Sequence, residues 1–197
     1  MSAARAVGIV LAAGASERAG SVKALAEIDG RALVHVISDT LLAGGCERVV
    51  VVVGPPHQAA IESALGGRHI VVENPQPGLG MFHSLQLGLG AAGEADAAVV
   101  ALVDHPSVRP DTVAALLAAQ GKGAVLQPEY RGRRGHPFLI DHAAFDVIDR
   151  AEPTAVTRDV LLQAGERVIV PVDDAGIVED LDTAAELAEL GARPHAD

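Results

Sequence analysis

Val7–Leu25 reads VGIVLAAGASERAGSVKAL, and the rest of the chain is best understood outward from it. An apolar run (Val7, Ile9, Val10, Leu11) stops at Ala12-Ala13-Gly14, and a small, polar segment follows that carries Arg18, Gly20 and Lys23. A buried strand that breaks into a loop of small residues, closed by two cations, suits phosphate binding. Small side chains let backbone N–H groups approach an anion, while Arg and Lys neutralise it. The expectation is a grip on a nucleoside triphosphate, with metal, acceptor and walls supplied by the rest of the chain.

Composition narrows the class. A chain of 197 residues, 49% hydrophobic but only 2% aromatic, must build its core from Ala, Val, Leu and Ile, which favours an α/β protein. The formal net charge of −11 argues against nucleic acid or an anionic membrane as partner. A basic loop inside an acidic protein points instead to a small anionic ligand. The single cysteine, Cys46, excludes an intrachain disulfide framework and a thiolate metal cage. No segment approaches the ~20 apolar residues of a membrane span and no signal-peptide pattern opens the chain, so a cytoplasmic protein is expected.

Val7–Ala12 and Arg48–Val53 read as buried parallel strands, as do Ile70–Glu73, Ala97–Val103 and Ala124–Pro128. Helical spacing over 32–43, 58–65, 81–91 and 112–120 alternates with them, the last opening with Pro110 in its first turn. The alternation predicts one domain over residues 1–197: a three-layer α/β/α fold around a doubly wound, mostly parallel sheet. Past Tyr130 a basic turn, Arg131–Pro137, reads as a small β-hairpin excursion. Helices near 143–150 and 156–163, a strand at 167–172, a last helix at 183–190 and a frayed tail at 191–197 complete the expectation.

Ligands of a parallel sheet bind outside the carboxyl ends of the strands. That rule selects the Gly14–Lys23 loop, the Pro77–Ser84 loop-to-helix junction, and Asp104-His105-Pro106. The first loop is not a Walker A motif: five residues separate Gly14 from Gly20, and Lys23 stands three past Gly20 with Ala24 after it. Neither is it G-x-G-x-x-G, and Gly78-x-Gly80 lacks the third glycine.

The loop does resemble the signature L-A-[AG]-G-x-[SG]-x-R-x-G-x-x-K of sugar-nucleotide-type nucleotidyltransferases, at every fixed position from Leu11 to Lys23. Further along, Gly78-Leu79-Gly80-Met81-x-x-Ser84-Leu85, Asp104-x-Pro106, Arg134-Gly135-His136-Pro137 and Asp180-Leu181-Asp182-Thr183, with Glu186 behind it, are similar to the molybdenum cofactor cytidylyltransferases and their close relatives. Ala13, in place of a second glycine, resembles the cytidylyl-transferring branch; one methyl group in a tight pocket discriminates by roughly 1–3 kcal/mol. The resemblance implies transfer of CMP from CTP to a molybdopterin-type acceptor within molybdenum cofactor biosynthesis. The product would pass to a molybdoenzyme.

The chemistry of such a transfer is positioning plus charge neutralisation. Lys23 is expected near the α-phosphate and Arg18 toward the leaving group, with Leu11, Ala12, Ala13, Gly14, Ala15, Ser16, Gly80 and Ser84 around the nucleotide. Mg²⁺ needs hard oxygen ligands; Asp104 is the first expected ligand and also counts as catalytic, and Asp182 is the second, with Asp180 as its competitor. Asp104 also reads as a turn aspartate, and Asp182 as an N-cap before the last helix. His136, Arg134 and Arg158 are candidates for the acceptor side, although arginines in a hairpin turn are common solvent-facing residues. The stretch Glu152–Arg158 departs from the Gly-Asp-x-Gly-x-Arg-like segment of relatives, keeping only Arg158 and Leu161-Leu162, which leaves the acceptor open. Three alternatives stay in view. One is guanylyl or other nucleotidyl transfer to a different phosphorylated acceptor. The others are an NAD(P)H-dependent oxidoreductase on the same fold, and a nucleotide-binding chaperone without turnover.

Overall fold

The computed structural model describes residues 5–14, 23–181 and 186. The elements in chain order are β1 (Ala6–Ala12), β2 (Glu27–Ile28), β3 (Arg31–Ala32), α1 (Leu33–Ala43), β4 (Arg48–Val53), α2 (Gln58–Leu65), β5 (Ile70–Glu73), α3 (Met81–Ala91) and β6 (Ala97–Leu102). They continue with α4 (Pro110–Ala118), β7 (Val125–Tyr130), β8 (Arg133–Arg134), β9 (Phe138–Asp141), α5 (Phe145–Arg150), α6 (Thr157–Gln163) and β10 (Arg167–Pro171). Strand order in the main sheet is β5-β4-β1-β6-β9-β7-β10, with β8 paired to β7.

Every residue of β1 is buried, because parallel neighbours β4 and β6 flank it and helices cover both faces. Its side chains alternate between two cores. Val10 and Ala12 join Val34, Ile37, Leu41 and Leu116 beneath α1 and α4. Val7, Ile9 and Leu11 join Phe82, Leu85, Ile148 and Leu161 beneath α3, α5 and α6. The period of two thus converts one apolar run into a three-layer protein. Glycine at position 88 brings α3 down onto β1: a Cβ there would sit 2.6 Å from Ile9 Cγ2.

The predicted α/β class and doubly wound sheet hold. Two strands depart from parallel order: β9 runs antiparallel to both β6 and β7, and β8 runs antiparallel to β7. The basic segment differs in detail from its expectation. The hairpin turns on two residues, Arg131 (φ 48°) and Gly132 (φ 78°), while Gly135-His136-Pro137 leads onward into β9. Helix α4 starts at Pro110, as expected of a proline in a first helical turn, and ends at Ala118. The expected last helix, 183–190, lies outside the described residues apart from Glu186. Among the described residues no helix is long and apolar enough to cross a membrane.

The chain runs outward from β1 to β4 and β5, then returns through α3 to β6 on the other side of β1. Strand order therefore reverses between β1 and β6. A crevice opens outside their carboxyl ends, where ligands of such sheets bind.

Candidate active site

A cavity of about 390 Å³ occupies that crevice. Leu11–Gly14 at the end of β1, Lys23 and Ala24, Pro77, Gly80, Met81 and Ser84 before and within α3, and Leu102–Asp104 at the end of β6 line it. The three places selected from the sequence converge here, as the topology requires. The volume lies within the range of small-molecule sites.

The floor is apolar, formed by the ends of β1 and β6, and the charged groups stand at one side. Lys23 Nζ lies 3.9 Å from Asp104 Oδ2, with the two side chains 13% and 29% exposed. The other carboxylate oxygen, Asp104 Oδ1, is buried and accepts no hydrogen bond among the described residues. His105 Nε2 is 3.8 Å from that oxygen. A buried carboxylate oxygen without a donor is costly unless something positive or protic meets it.

On the opposite wall, α3 points its N-terminus at the cavity. Gly80 takes φ +102°, a conformation that favours glycine, and no side chain caps the first turn. Ser84 is buried one turn in, where its Oγ accepts a hydrogen bond from Asn74 Nδ2 at 2.9 Å. Its own O–H remains able to donate. Asn74 is itself pinned: its N–H donates to the Val53 carbonyl at 2.7 Å, and its Oδ1 accepts from the Gln76 N–H at 2.9 Å.

Beyond Asp104 the rim is aromatic. The His105 and His136 rings lie with centroids 5.1 Å apart and planes tilted by 41°, and Phe138 meets His136 edge-on at 5.8 Å. Burial, and then the neighbouring His105, push the His136 pKa down to about 4, against a smaller opposing pull from Asp104. His136 is therefore a neutral imidazole at pH 7.

Among the expected site residues, Leu11, Ala12, Ala13, Gly14, Lys23, Gly80, Ser84 and Asp104 share the cavity wall, and His136 lies beside it through His105. Arg18, Ala15, Ser16 and Asp182 lie outside the described residues. Arg134 and Arg158 are not brought to the cavity. Arg134 is exposed on β8, paired in register with Glu129. Arg158 is 76% exposed on α6, with its Nε 3.3 Å from the Asp159 carboxylate. Sequence reading missed Asn74 and Met81. Asn74-x-Gln76 carries a local Asx signal, but its bond to Ser84 depends on how α3 docks.

Among the described residues no group of three or more His, Cys, Asp or Glu is arranged to hold a metal by itself. A lone buried carboxylate oxygen beside a lysine suits a hard divalent cation that takes its other ligands from phosphate and water. The residues present fit such an ion.

Comparison with known proteins bears on this geometry. The MobA-like NTP transferase domain matches residues 8–170, which takes in β1, the cavity and β10. Nicotine blue oxidoreductase of Paenarthrobacter nicotinovorans is 34% identical over 201 residues, covering 93% of this chain and 95% of that protein. Rv0371c of Mycobacterium tuberculosis has a similar fold at TM-score 0.79 and 24% identity, over 96% of this chain and all of that one. A second structure of Rv0371c is a complex with manganese (TM-score 0.74, 23% identity, 94% of this chain and 97% of that one). The molybdopterin-guanine dinucleotide biosynthesis protein A of Archaeoglobus fulgidus shares the fold at TM-score 0.70 and 20% identity, over 94% and 96% of the two chains. With a match that spans the strand, the crevice and both of its walls, the chain belongs to the MobA-like NTP transferase domain family and is a nucleotidyltransferase.

Proposed function

We propose that this nucleotidyltransferase transfers CMP from CTP to a molybdopterin-type acceptor, with Mg²⁺ or a similar divalent cation as its cofactor. The observation that carries the reading is the Lys23–Asp104 pair at the mouth of the crevice, with one Asp104 oxygen buried and unpartnered. In the reaction, a terminal phosphate oxygen of the acceptor attacks the α-phosphorus of CTP. The α–β bridging P–O bond breaks, and pyrophosphate leaves. Asp104, with Asp182 as second ligand, would hold the cation, which would neutralise charge on the α-phosphate and leaving group.

The chain's own residues account for the remaining work. Lys23 neutralises the phosphate oxygens nearest Asp104 and holds them against the turn after β1. Arg18 takes the leaving-group side. The first turn of α3 and the Ser84 hydroxyl hold the nucleoside end, with Ala13 beside the base. His136 presents a neutral ring toward the acceptor, so it orients by hydrogen bonding and leaves charge neutralisation to the cations. Cytoplasmic placement and delivery of the product to a molybdoenzyme belong to the same reading.

Nicotine blue oxidoreductase, by its name, favours the second reading, an oxidoreductase on the same fold, for which NAD(P)H would be the reductant. Against it stands a loop that carries two cations and no G-x-G-x-x-G. A thermal-shift panel of CTP, GTP, ATP, UTP and NADH, with and without Mg²⁺, separates the two. CTP with Mg²⁺ gives the largest stabilisation under the proposal, and pyrophosphate appears once acceptor is added. A tenfold preference for GTP overturns the cytidylyl assignment, and stabilisation by NADH alone overturns nucleotidyl transfer.

A further inference from the structure

We infer that Asp174 is a positioning residue for the Asp104 carboxylate, acting through a clasp formed by residues 172–181; the inference rests on the proposed metal role of Asp104. After β10 the chain does not leave the sheet but crosses back over its carboxyl edge. The Val172 N–H donates to the Glu129 carbonyl at 2.9 Å, and the Asp173 carbonyl accepts from the Arg109 guanidinium. A 3₁₀ turn, Ala175–Val178, follows. Its Ile177 carbonyl accepts the His136 N–H at 2.9 Å, and the Leu181 N–H donates to the carbonyl of Asp104 itself at 2.9 Å. The segment thus ties the stretch between β8 and β9 that carries His136 to the backbone of the proposed metal ligand.

Asp174 is the pin of this clasp. It is 4% exposed, and its two oxygens hold different things. Oδ2 accepts from the Arg109 N–H at 2.9 Å and the Thr112 hydroxyl at 2.6 Å, both at the start of α4. Oδ1 accepts from the Gly176 N–H at 3.0 Å, inside the clasp, with Arg109 Nε 3.9 Å away. A buried carboxylate met by three donors makes strong, directional bonds. The fit around it is close. A Cβ on Gly176 would overlap the Ser107 carbonyl, and one on Gly135 would overlap that of Ile177. Ser107 belongs to the loop that begins at Asp104, so the clasp bears on that loop at both ends.

The two oxygens make the role separable from simple stability. In Asp174→Asn, the amide NH₂ that replaces Oδ1 faces the Gly176 N–H, donor against donor, while the oxygen toward α4 is retained. Thr112→Val does the reverse, weakening the α4 bond and leaving the clasp bond intact. Mn²⁺ serves as the probe, titrated by electron paramagnetic resonance into the full-length protein with CTP present. Asp174→Asn is expected to weaken Mn²⁺ binding five- to twentyfold, and CTP affinity in EDTA to change less than twofold. Hydrogen exchange at the Leu181 and His136 amides should accelerate tenfold or more. Turnover should fall in kcat with the KM for CTP unchanged. Thr112→Val should lower the melting temperature comparably while leaving Mn²⁺ affinity and both amides unaltered. Gly176→Ala, which pushes the clasp from its other side, should reproduce the Mn²⁺ loss and covers the case in which Asp174→Asn does not fold. Equal Mn²⁺ affinity in wild type and both clasp variants overturns the positioning role alone. A wild type that binds no Mn²⁺ with any nucleotide overturns the metal reading of Asp104, and this role with it.

Discussion

The two sides of the crevice are built by different means. Toward β5, every strand is parallel and follows its neighbour through a helix, and the contacts are apolar runs packed on apolar runs. Toward β10, an antiparallel strand and a hairpin intervene. Backbone bonds from Leu181 to Asp104 and from His136 to Ile177 hold that side, together with the Asp174 carboxylate. The first side presents α3 and the turn after β1, the natural place for a nucleotide. The second presents Asp104, the paired rings of His105 and His136 and the clasp, where the proposed reaction puts metal and acceptor. A hydrophobic framework tolerates substitution by small adjustments. A framework of single hydrogen bonds and close backbone approaches does not.

The largest expected effect lies where the two sides meet. Lys23→Ala and Asp104→Asn should each lower the rate of pyrophosphate release from CTP by ~10²–10³-fold, equivalent to about 3–4 kcal/mol, as for loss of one preorganised charge-stabilising group. Comparable rates in wild type and either variant would remove the pair from the mechanism.

Two glycines sharpen the contrast in stability. Gly135→Ala drives a methyl group into the Ile177 carbonyl, a backbone atom, and should cost about 3 kcal/mol in urea unfolding. Gly88→Ala meets the side-chain methyl of Ile9, which can shift, and should cost about 1 kcal/mol. The opposite ranking would show the clasp side to be the more adaptable.

Acid should weaken the second side through His136. Its folded pKa of about 4 lies below the ordinary value of 6.5. Between those values the unfolded chain binds a proton that the folded chain does not. Stability is therefore lost as pH falls from about 6.5 to 4, by at most about 3 kcal/mol. Urea unfolding in EDTA at pH 7 and pH 4.5 checks this against His136→Asn, which should lose less. An equal loss in both proteins would show that His136 does not carry the effect. Smallest of all, Arg158→Ala should change stability by less than about 0.5 kcal/mol and turnover by less than twofold, because the side chain is exposed and away from the cavity. A tenfold rise in the acceptor KM would return Arg158 to the acceptor site.

Legibility follows the same divide. The residues after β1, Gly80, Ser84 and Asp104 were recognisable because each lies at a strand end or helix start that the local pattern marks. Arg134 and Arg158 were selected as cations near a motif, and the fold turns both outward. Asp174 gave no usable signal: Asp-x-Gly is an ordinary turn pattern, and its partners at Arg109 and Thr112 are more than sixty residues away.

What the sequence determined by itself was the parallel framework and the location of the crevice. Apolar runs of strand length, punctuated by glycine and alternating with helical spacing, admit few other packings, and strand ends then define the ligand site. Only the tertiary structure decided that β9 runs antiparallel, that an Asp104 oxygen is buried without a partner, and that residues 172–181 return to grip Asp104. Those features depend on how distant segments are brought together. Contacts between such segments leave no periodicity in the chain and exist only once the two segments have been folded together.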